Sequence, residues 1–199
     1  MIDGAARLAA RYPRVWHVIE ADGAASWITA SDACLHPAAD MHDVSDNRDR
    51  YVAIGLGNGR IAVLRPQLMA DDRLLPTLAG GFASRPGRWR RHIDSHVFFW
   101  ATEARRDRFV GANRRLRARV QPAVPPPVVL EVDTAALLER HAAVAYFATF
   151  NTGSTVRGGA RVRRDENTLR AVCGYRSGPV AELAIRGRVD LAGLAVGYP

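Results

Sequence analysis

Three short stretches of the sequence carry residue types from which a reactive site can be built. Residues 14–19 are RVWHVI, in which His17 follows a tryptophan, residues 97–100 are VFFW, and Glu182 stands in PVAELAI. A histidine in such an apolar run is, on its own, typical of a protein core. A carboxylate on an apolar strand either points to solvent, because side chains alternate along a strand, or lines a cleft in which burial alters its chemistry.

The familiar motifs of catalytic and metal sites are absent from the sequence. It contains no GxSxG, HExxH, P-loop or GxGxxG motif, and its six histidines are scattered along the chain. Cys34 and Cys173 are far apart and form no CxxC motif, which predicts reduced thiols and no zinc site. We therefore expect no metal ion.

The chain is strongly basic. Its net charge is +8, and all 28 of its Lys and Arg residues are arginine. Arginine binds phosphate groups bidentately and stacks on bases, so the excess indicates a nucleic acid or a phosphorylated ligand. A GC-rich genome is an alternative source of an arginine-rich sequence without lysine, but it does not account for the excess of positive charge itself.

The composition is that of a folded protein, with 48% hydrophobic and 24% charged residues. No stretch reaches the roughly 18 apolar residues that a membrane helix needs. The opening MIDGAARLAARYP carries an acidic residue and no apolar signal segment. We therefore expect a cytoplasmic protein that has no membrane partner.

The hydrophobic pattern predicts a helix over 4–11 before the strand at 14–19, and a hairpin at YVAIGLGNGRIAVL, where Gly-Asn-Gly separates two β-branched runs. HVFFW is predicted as a buried strand, TEARRDRFVGANRRLRARV as a helix, and PVAELAIRGRV as a late strand. Residues 26–33 are predicted as a helical turn, 71–80 as helical, and 85–91 as a basic loop. Because strands outnumber the short helices, we predict a single α+β domain over residues 1–199 with a mixed or antiparallel sheet.

In this order, His17, VFFW and Glu182 resemble the landmarks of the ADP-ribosyltransferase fold, which has a split sheet. AELAIRGRVDLAGLAV is similar to the late segment of DarT-type, DNA-targeting toxins. The chain also resembles, over nearly its whole length, a bacterial family of unassigned activity. That resemblance is carried by YPRVWH, VLRPQLM, VFFW, VDTAAL, NTGS and VAEL.

The resemblance implies an NAD-dependent ADP-ribosyltransferase, which breaks a glycosidic bond through an oxocarbenium-like transition state. Glu182 would bind the nicotinamide-side ribose and orient or deprotonate the acceptor, and His17 would hold a ribose hydroxyl. The two residues are then expected on adjacent central strands, facing one pocket. Unlike the toxins, the chain has Val18 rather than threonine after the histidine, and SDACL replaces their Gly-Leu-x-Ser turn, which leaves open a ligand other than NAD.

The resemblance also implies binding residues for NAD. An aromatic wall for nicotinamide would come from Phe98, Phe99 or Trp100. The candidates for the pyrophosphate are Arg48, Arg50 and Arg65. Two polar residues of a turn would line the same cleft, Asn151 and Ser154.

The arginines of the loop after NTGS have two interpretations, a solvated loop or a surface that grips the phosphates of a nucleic-acid acceptor. They are Arg157, Arg161, Arg163 and Arg164. Four functions therefore stay open: transfer of ADP-ribose to nucleic acid or another acceptor, hydrolysis of NAD, tailoring of a small molecule, and nucleic-acid binding without catalysis. A toxin would in addition have an antitoxin or immunity protein as its partner.

Overall fold

The computed structural model describes residues 3–20, 34–41, 47–57, 60–67, 69–120, 127–155 and 162–197. Within these ranges five α-helices form: α1 (Gly4–Arg11), α2 (Asp71–Leu74), α3 (Pro86–Asp94), α4 (Glu103–Val120) and α5 (Thr134–His141). Short 3-10 turns occur at Ala38–Asp40, Leu75–Thr77, Gly80–Phe82, Ala142–Val144 and Val172–Gly174.

The strands of the described ranges are short. They are β1 (Arg14–Ile19), β2 (Cys34–Leu35), β3 (Val52–Gly57), β4 (Arg60–Leu64), β5 (His96–Trp100), β6 (Val128–Asp133), β7 (Ala145–Ala148), β8 (Arg170–Ala171), β9 (Glu182–Arg186), β10 (Val189–Asp190) and β11 (Ala195–Gly197). Seven of them form the main sheet in the order β11-β6-β1-β5-β9-β7-β8. All the neighbours in this sheet pair antiparallel.

The α+β class is confirmed, with one domain built on an antiparallel sheet. The predicted strands at 14–19 and 96–100 and the predicted helices α1 and α4 are present, and β3 and β4 pair as the expected hairpin. Residues 26–33, predicted as a helical turn, lie outside the described residues.

The predicted basic loop at 85–91 is wrong, because this segment belongs to α3. Pro86 stands at the start of the helix, where its missing N–H is not needed. Trp89 and Ile93, four residues apart, are both buried beneath the helix. Residues 71–80 are helical only as far as Thr77, as α2 followed by a 3-10 turn.

One face of the sheet forms the main apolar core. Side chains that alternate along the strands, such as Val15, Phe99 and Leu183, are buried there and packed under α1 and α5. Gly4 lets α1 approach closely, because a Cβ at this position would collide with the carbonyl oxygens of Val172 and Cys173. The Asp133 carboxylate begins α5 by accepting a hydrogen bond from the Ala136 N–H.

The other face of the sheet is covered by α3, which packs with a smaller apolar cluster, and by α4. The side of α4 that faces the protein is mostly polar and aromatic rather than aliphatic. It includes Arg106, Phe109, Asn113 and Arg117, spaced three or four residues apart. This arrangement differs from the aliphatic stripe of an ordinary surface helix.

Candidate active site

A row of four residues crosses the sheet beneath α4. Trp16 on β1 lies opposite Glu131 on β6 and opposite Trp100 on β5. Trp100 in turn lies opposite Glu182 on β9. Directly opposed residues of antiparallel strands project from the same face, so two tryptophans and two carboxylates form a single row.

Glu182 is the most buried member of this row, with 4% of the residue exposed. Its Oε2 accepts two hydrogen bonds from Thr152, from the backbone N–H at 2.9 Å and from the hydroxyl at 2.8 Å. Thr152 belongs to the NTGS turn after β7, and β7 pairs with β9, so the sheet brings the turn to the carboxylate. Burial raises the pKa of Glu182 to about 7, against the Thr152 hydrogen bonds and the positive charges of Arg105 and Arg164.

This environment makes Glu182 chemically distinctive. A carboxylate that loses its proton near neutral pH can accept a proton from a reacting group or stabilise positive charge that develops beside it. The two tryptophan rings of the row contact α4, since Phe109 packs on Trp100 at a centroid distance of 5.0 Å. The Arg106 guanidinium lies 5.1 Å from the centre of the Trp16 ring.

Glu131, at the other end of the row, is less enclosed. Its side chain is 40% exposed, and its Oε1 lies 3.3 Å from Arg14 Nε. The Trp16 indole N–H donates to its second oxygen at 3.4 Å. Glu131 therefore orients Trp16 from the edge of the row.

The main sheet divides between β1 and β5, which share a single register pair, Trp16 with Trp100. A continued antiparallel ladder would set Val18 opposite Phe98. Instead, side chains reach these carbonyls: His17 Nδ1 lies 2.7 Å from the Phe98 oxygen, and Arg65 Nη2 donates to the Val18 oxygen at 2.7 Å. The divide thus exposes strand backbone to hydrogen bonding by groups other than the neighbouring strand.

His17 stands at this divide in a defined protonation state. Because a carbonyl oxygen only accepts, Nδ1 carries the proton and Nε2 keeps its lone pair in the neutral ring. Burial, opposed by the Phe98 hydrogen bond and assisted by the Arg65 charge, lowers the pKa of His17 to about 4. The neutral ring is therefore a hydrogen-bond acceptor at neutral pH.

The expectation that His17 and Glu182 lie on adjacent strands is wrong, because β5 lies between β1 and β9. His17 also lies opposite the core residue Leu130, and its ring is 5.5 Å from that of Phe99. It is thus on the core side, whereas Glu182 projects from the other face. The two side chains therefore lie on opposite faces of the sheet, with β5 between their strands.

The VFFW stretch is split between the two faces by strand alternation. Phe99 is fully buried in the main core and is not available as a wall of the Glu182 site. Phe98 packs with the smaller cluster under α3. Trp100 is half-buried and is the one member of the three that lies opposite Glu182.

The three arginines predicted for a pyrophosphate differ in their surroundings. Arg48 is neutralised by Asp94, with Nη1 2.7 Å from Oδ2. Arg65 lies at the divide, 3.4 Å from Glu20 and 4.8 Å from the centre of the Phe109 ring. Its buried Nη1 donates no hydrogen bond within the described part of the chain. Arg50 is exposed.

A buried group of charges supports the divide from beneath α4. The carboxylate of Glu20, the residue after β1, pairs with Arg65 and Arg117 and accepts a hydrogen bond from Asn113 at 2.9 Å. The Tyr51 hydroxyl donates to the Asn113 side-chain oxygen at 2.7 Å. Arg65 is therefore positioned by a network, rather than free on the surface.

The loop arginines do not form one surface. Arg164, predicted as a nucleic-acid contact, is fully buried and donates to the carbonyl oxygens of Val162 and Ser154, so this prediction is wrong. Arg163 is exposed and lies 3.6 Å from Asp165. Two further predicted contacts lie outside the described residues, Arg157 and Arg161.

Of the predicted turn residues, Asn151 is half-buried and Ser154 contributes its carbonyl to Arg164. The residue that holds Glu182 is Thr152, which stands between them and was not predicted. The NTGS element pointed to this turn, but the choice of residue depends on the register of β7 with β9. Phe109 and Arg106 were also missed, because their contacts depend on how α4 lies over the sheet.

The described ranges contain neither a cluster of metal-binding side chains nor a membrane-spanning helix. No three His, Cys, Asp or Glu side chains in them are grouped so that they could hold a metal ion. No helix in the same ranges is long and apolar enough to cross a membrane.

The chain matches the model of a family described as a family of unknown function, DUF7002, over residues 13–192, and so belongs to that family. The match begins just before β1 and extends past β9, so it includes the whole row from Glu131 to Glu182 and the divide at His17. No curated protein sequence matches the chain.

Proposed function

We propose that this protein is an NAD-consuming ADP-ribosyltransferase on an ADP-ribosyltransferase-like fold, with Glu182 as its catalytic carboxylate. The observation that carries the proposal is a buried Glu182 held by Thr152 and set beside Trp100, on a sheet divided between β1 and β5. The divided sheet supports the proposal, and so does the order of His17, Trp100 and Glu182 along the chain, although His17 and Glu182 lie on opposite faces of the sheet rather than on adjacent strands.

The proposed reaction breaks the C–N bond between ribose and nicotinamide, and the bonding electron pair leaves with nicotinamide. Positive charge develops on the ribose ring as the bond lengthens. The Glu182 carboxylate stabilises that charge and binds a ribose hydroxyl. When the acceptor attacks the ribose carbon, its proton passes to Glu182. Interactions that strengthen only as this charge develops are the ones that accelerate the reaction.

The flat Trp100 ring provides an apolar wall for nicotinamide in this arrangement. The His17 Nε2 lone pair accepts a hydrogen bond from a ribose hydroxyl at the divide. Arg65 is the favoured pyrophosphate ligand, because Asp94 neutralises Arg48, whereas the Glu20 carboxylate is shared between Arg65 and Arg117. In addition, Arg65 Nη1 has no acceptor among the described residues. Arginine suits this role because its fork matches phosphate geometry.

The acceptor class distinguishes the remaining alternatives. A nucleic-acid acceptor is favoured by the net charge of +8. Water as acceptor would make the protein an NAD glycohydrolase. A toxin-like role in a bacterial cytoplasm would add an antitoxin or immunity protein as partner.

The test uses NAD labelled in its adenylate phosphate, incubated with the protein alone, with DNA, with RNA and with a protein mixture. Transfer predicts label on one of these acceptors, and hydrolysis predicts free ADP-ribose in every reaction. Glu182→Gln should lower either product by about 100-fold or more, as expected for loss of a group that stabilises the transition state. Unchanged NAD in all reactions, together with salt-sensitive nucleic-acid binding that does not depend on Glu182, would favour the non-catalytic alternative.

A further inference from the structure

The outer face of α4 is a stripe of arginines. Along this helix the exposed positions alternate with the polar and aromatic positions that contact the sheet. In the part of the helix after Asp107, small residues and arginines occupy the outer positions, and the exposed basic residues are Arg108, Arg114, Arg115 and Arg119. We call these four residues the α4 stripe.

The stripe has no acidic counterpart. Residues 108–120 contain no Asp or Glu, and the two acids at the start of α4, Glu103 and Asp107, lie within 4 Å of Arg106 instead. No ion pair is formed by the four stripe arginines within the described residues. Like charges three or four residues apart on a helix repel each other, so the Arg115–Arg119 pair of the stripe costs stability unless an anion lies along it.

The helix dipole accounts for only part of this charge. Cations are stabilised near the C-terminal end of a helix, an effect confined to the last turn. Arg119 lies in that turn, whereas Arg108, Arg114 and Arg115 precede it. The rest of the stripe therefore needs another explanation.

The geometry fits an extended polyanion. Arg108, Arg115 and Arg119 are seven and four residues apart, so they lie on one side of the helix over about 16 Å at 1.5 Å per residue. The other exposed residues between Arg108 and Arg119 are Arg114 and two alanines, Ala112 and Ala118, rather than large apolar side chains. A helix that binds in a membrane surface presents such large apolar groups, so the stripe favours a nucleic-acid strand over a lipid surface.

The stripe lies on the outer side of the helix that covers the candidate active site. It starts at Arg108, one residue before Phe109, whose ring packs on Trp100. We propose that the α4 stripe binds the phosphate backbone of a nucleic-acid strand and brings that strand to the Glu182 row. In naming the acceptor this inference rests on the proposed function, but binding at the stripe does not require catalysis.

The experiment measures binding of fluorescent single-stranded and duplex oligonucleotides by anisotropy over a range of salt concentrations. The test variant combines Arg108→Gln, Arg115→Gln and Arg119→Gln. A control variant of equal charge change combines Arg73→Gln, Arg176→Gln and Arg188→Gln, which are exposed arginines outside α4. All six positions are on the surface, and a thermal melt establishes that both variants are folded.

The stripe variant should lose about tenfold or more in affinity at 0.1 M salt, and the slope of log K against log salt should flatten by about 2 to 3. The control should keep the wild-type slope. Equal slopes in the two variants would overturn the proposal. So would wild-type binding to anionic lipid vesicles combined with no binding to either oligonucleotide.

The outcome is separable from that of the proposed function. Glu182→Gln should bind the oligonucleotides as the wild type does, because Glu182 is not in the stripe. Loss of binding by the stripe variant, together with absence of NAD cleavage by the wild type, would support the stripe and refute the enzyme. NAD cleavage by the wild type, together with unchanged binding by the stripe variant, would support the enzyme and refute the stripe.

Discussion

The two faces of the main sheet are built from different kinds of residue. The face under α1 and α5 buries aliphatic and aromatic side chains such as Val15, Leu130 and Phe99. The face under α4 instead carries the Glu131–Trp16–Trp100–Glu182 row. The first face gains stability from removing apolar surface from water. The second places carboxylates and guanidinium groups where burial is unfavourable.

The face under α4 contributes less stability because charged groups are buried there. Glu20 with Arg117, and Asp94 with Arg48, are ion pairs largely removed from water. A buried ion pair often contributes less stability than apolar residues of the same volume. Burial also raises the pKa of Asp94 and lowers that of Arg117. A face that keeps buried charges in spite of this loss of stability is expected to have a function.

The largest loss of stability is expected from a substitution on the core face of the sheet, under α1 and α5. Phe99→Ala should destabilise the protein by about 3–5 kcal/mol, because it leaves a cavity at a fully buried position. Urea unfolding measures the change. Trp100→Ala is the matched variant one residue away, and it should cost less stability because Trp100 is only half-buried. Equal losses at the two positions would contradict the assignment of Phe99 to the core and Trp100 to the site.

At Glu182, in contrast, a substitution is expected to increase the stability of the protein. The pKa of its carboxyl rises from 4.5 to about 7 on folding, so the wild type loses stability as pH increases between these values. The loss amounts to about 3 kcal/mol above pH 7. Glu182→Gln avoids it and should be more stable than the wild type at pH 8, by up to that amount, in denaturant unfolding. A variant less stable than the wild type at pH 8 and equal to it at pH 5 would contradict this expectation.

His17 is expected to change the free energy of unfolding by a similar amount, but with the opposite dependence on pH. Its pKa falls from 6.5 to about 4 on folding, so the wild type should lose stability as pH decreases through this interval. The loss is at most about 3 kcal/mol. His17→Asn keeps an N–H donor for the Phe98 carbonyl but cannot be protonated, and should reduce the acid sensitivity. The control is His36→Asn. Because His36 is less buried than His17, this substitution should change the stability at low pH less.

The smallest effect is expected at Thr152. Thr152→Val preserves the shape of the side chain but removes the hydroxyl that donates to Glu182. The pKa of Glu182 should increase by about one unit, which corresponds to about 1.4 kcal/mol for one hydrogen bond to a carboxylate. The pH dependence of NAD cleavage measures it. Thr152→Ser keeps the hydroxyl and should retain the wild-type profile, whereas identical shifts in both variants would exclude the hydroxyl as the cause.

Local patterns were sufficient to predict much of the fold. The helices α1 and α4, the strands β1 and β5 and the β3–β4 hairpin follow from periodicity and turn residues close together in the chain. The helix α3 was missed because Pro and Gly in RPGRWRR indicate a loop. Trp89 and Ile93, four residues apart, are the signal that would have corrected it.

The site was less predictable, because it depends on contacts between distant segments. The sequence singled out Glu182 but left open whether it faced solvent, and only the pairing of β9 with β5 and β7 places it beside Trp100 and Thr152. The same pairing puts β5 between His17 and Glu182. Arg164 belongs to a basic run typical of an exposed loop, yet backbone carbonyls satisfy it in the interior.

The central claim is that Glu182 acts as an ionised carboxylate in cleaving NAD. Its most direct test is release of nicotinamide from NAD by the wild type and by folded Glu182→Gln between pH 5 and pH 9. The wild-type rate should increase through about pH 7, where the buried Glu182 carboxyl loses its proton, and level off above it. The variant should remain at background throughout. No release by the wild type at any pH, or equal release by the variant, would contradict the account.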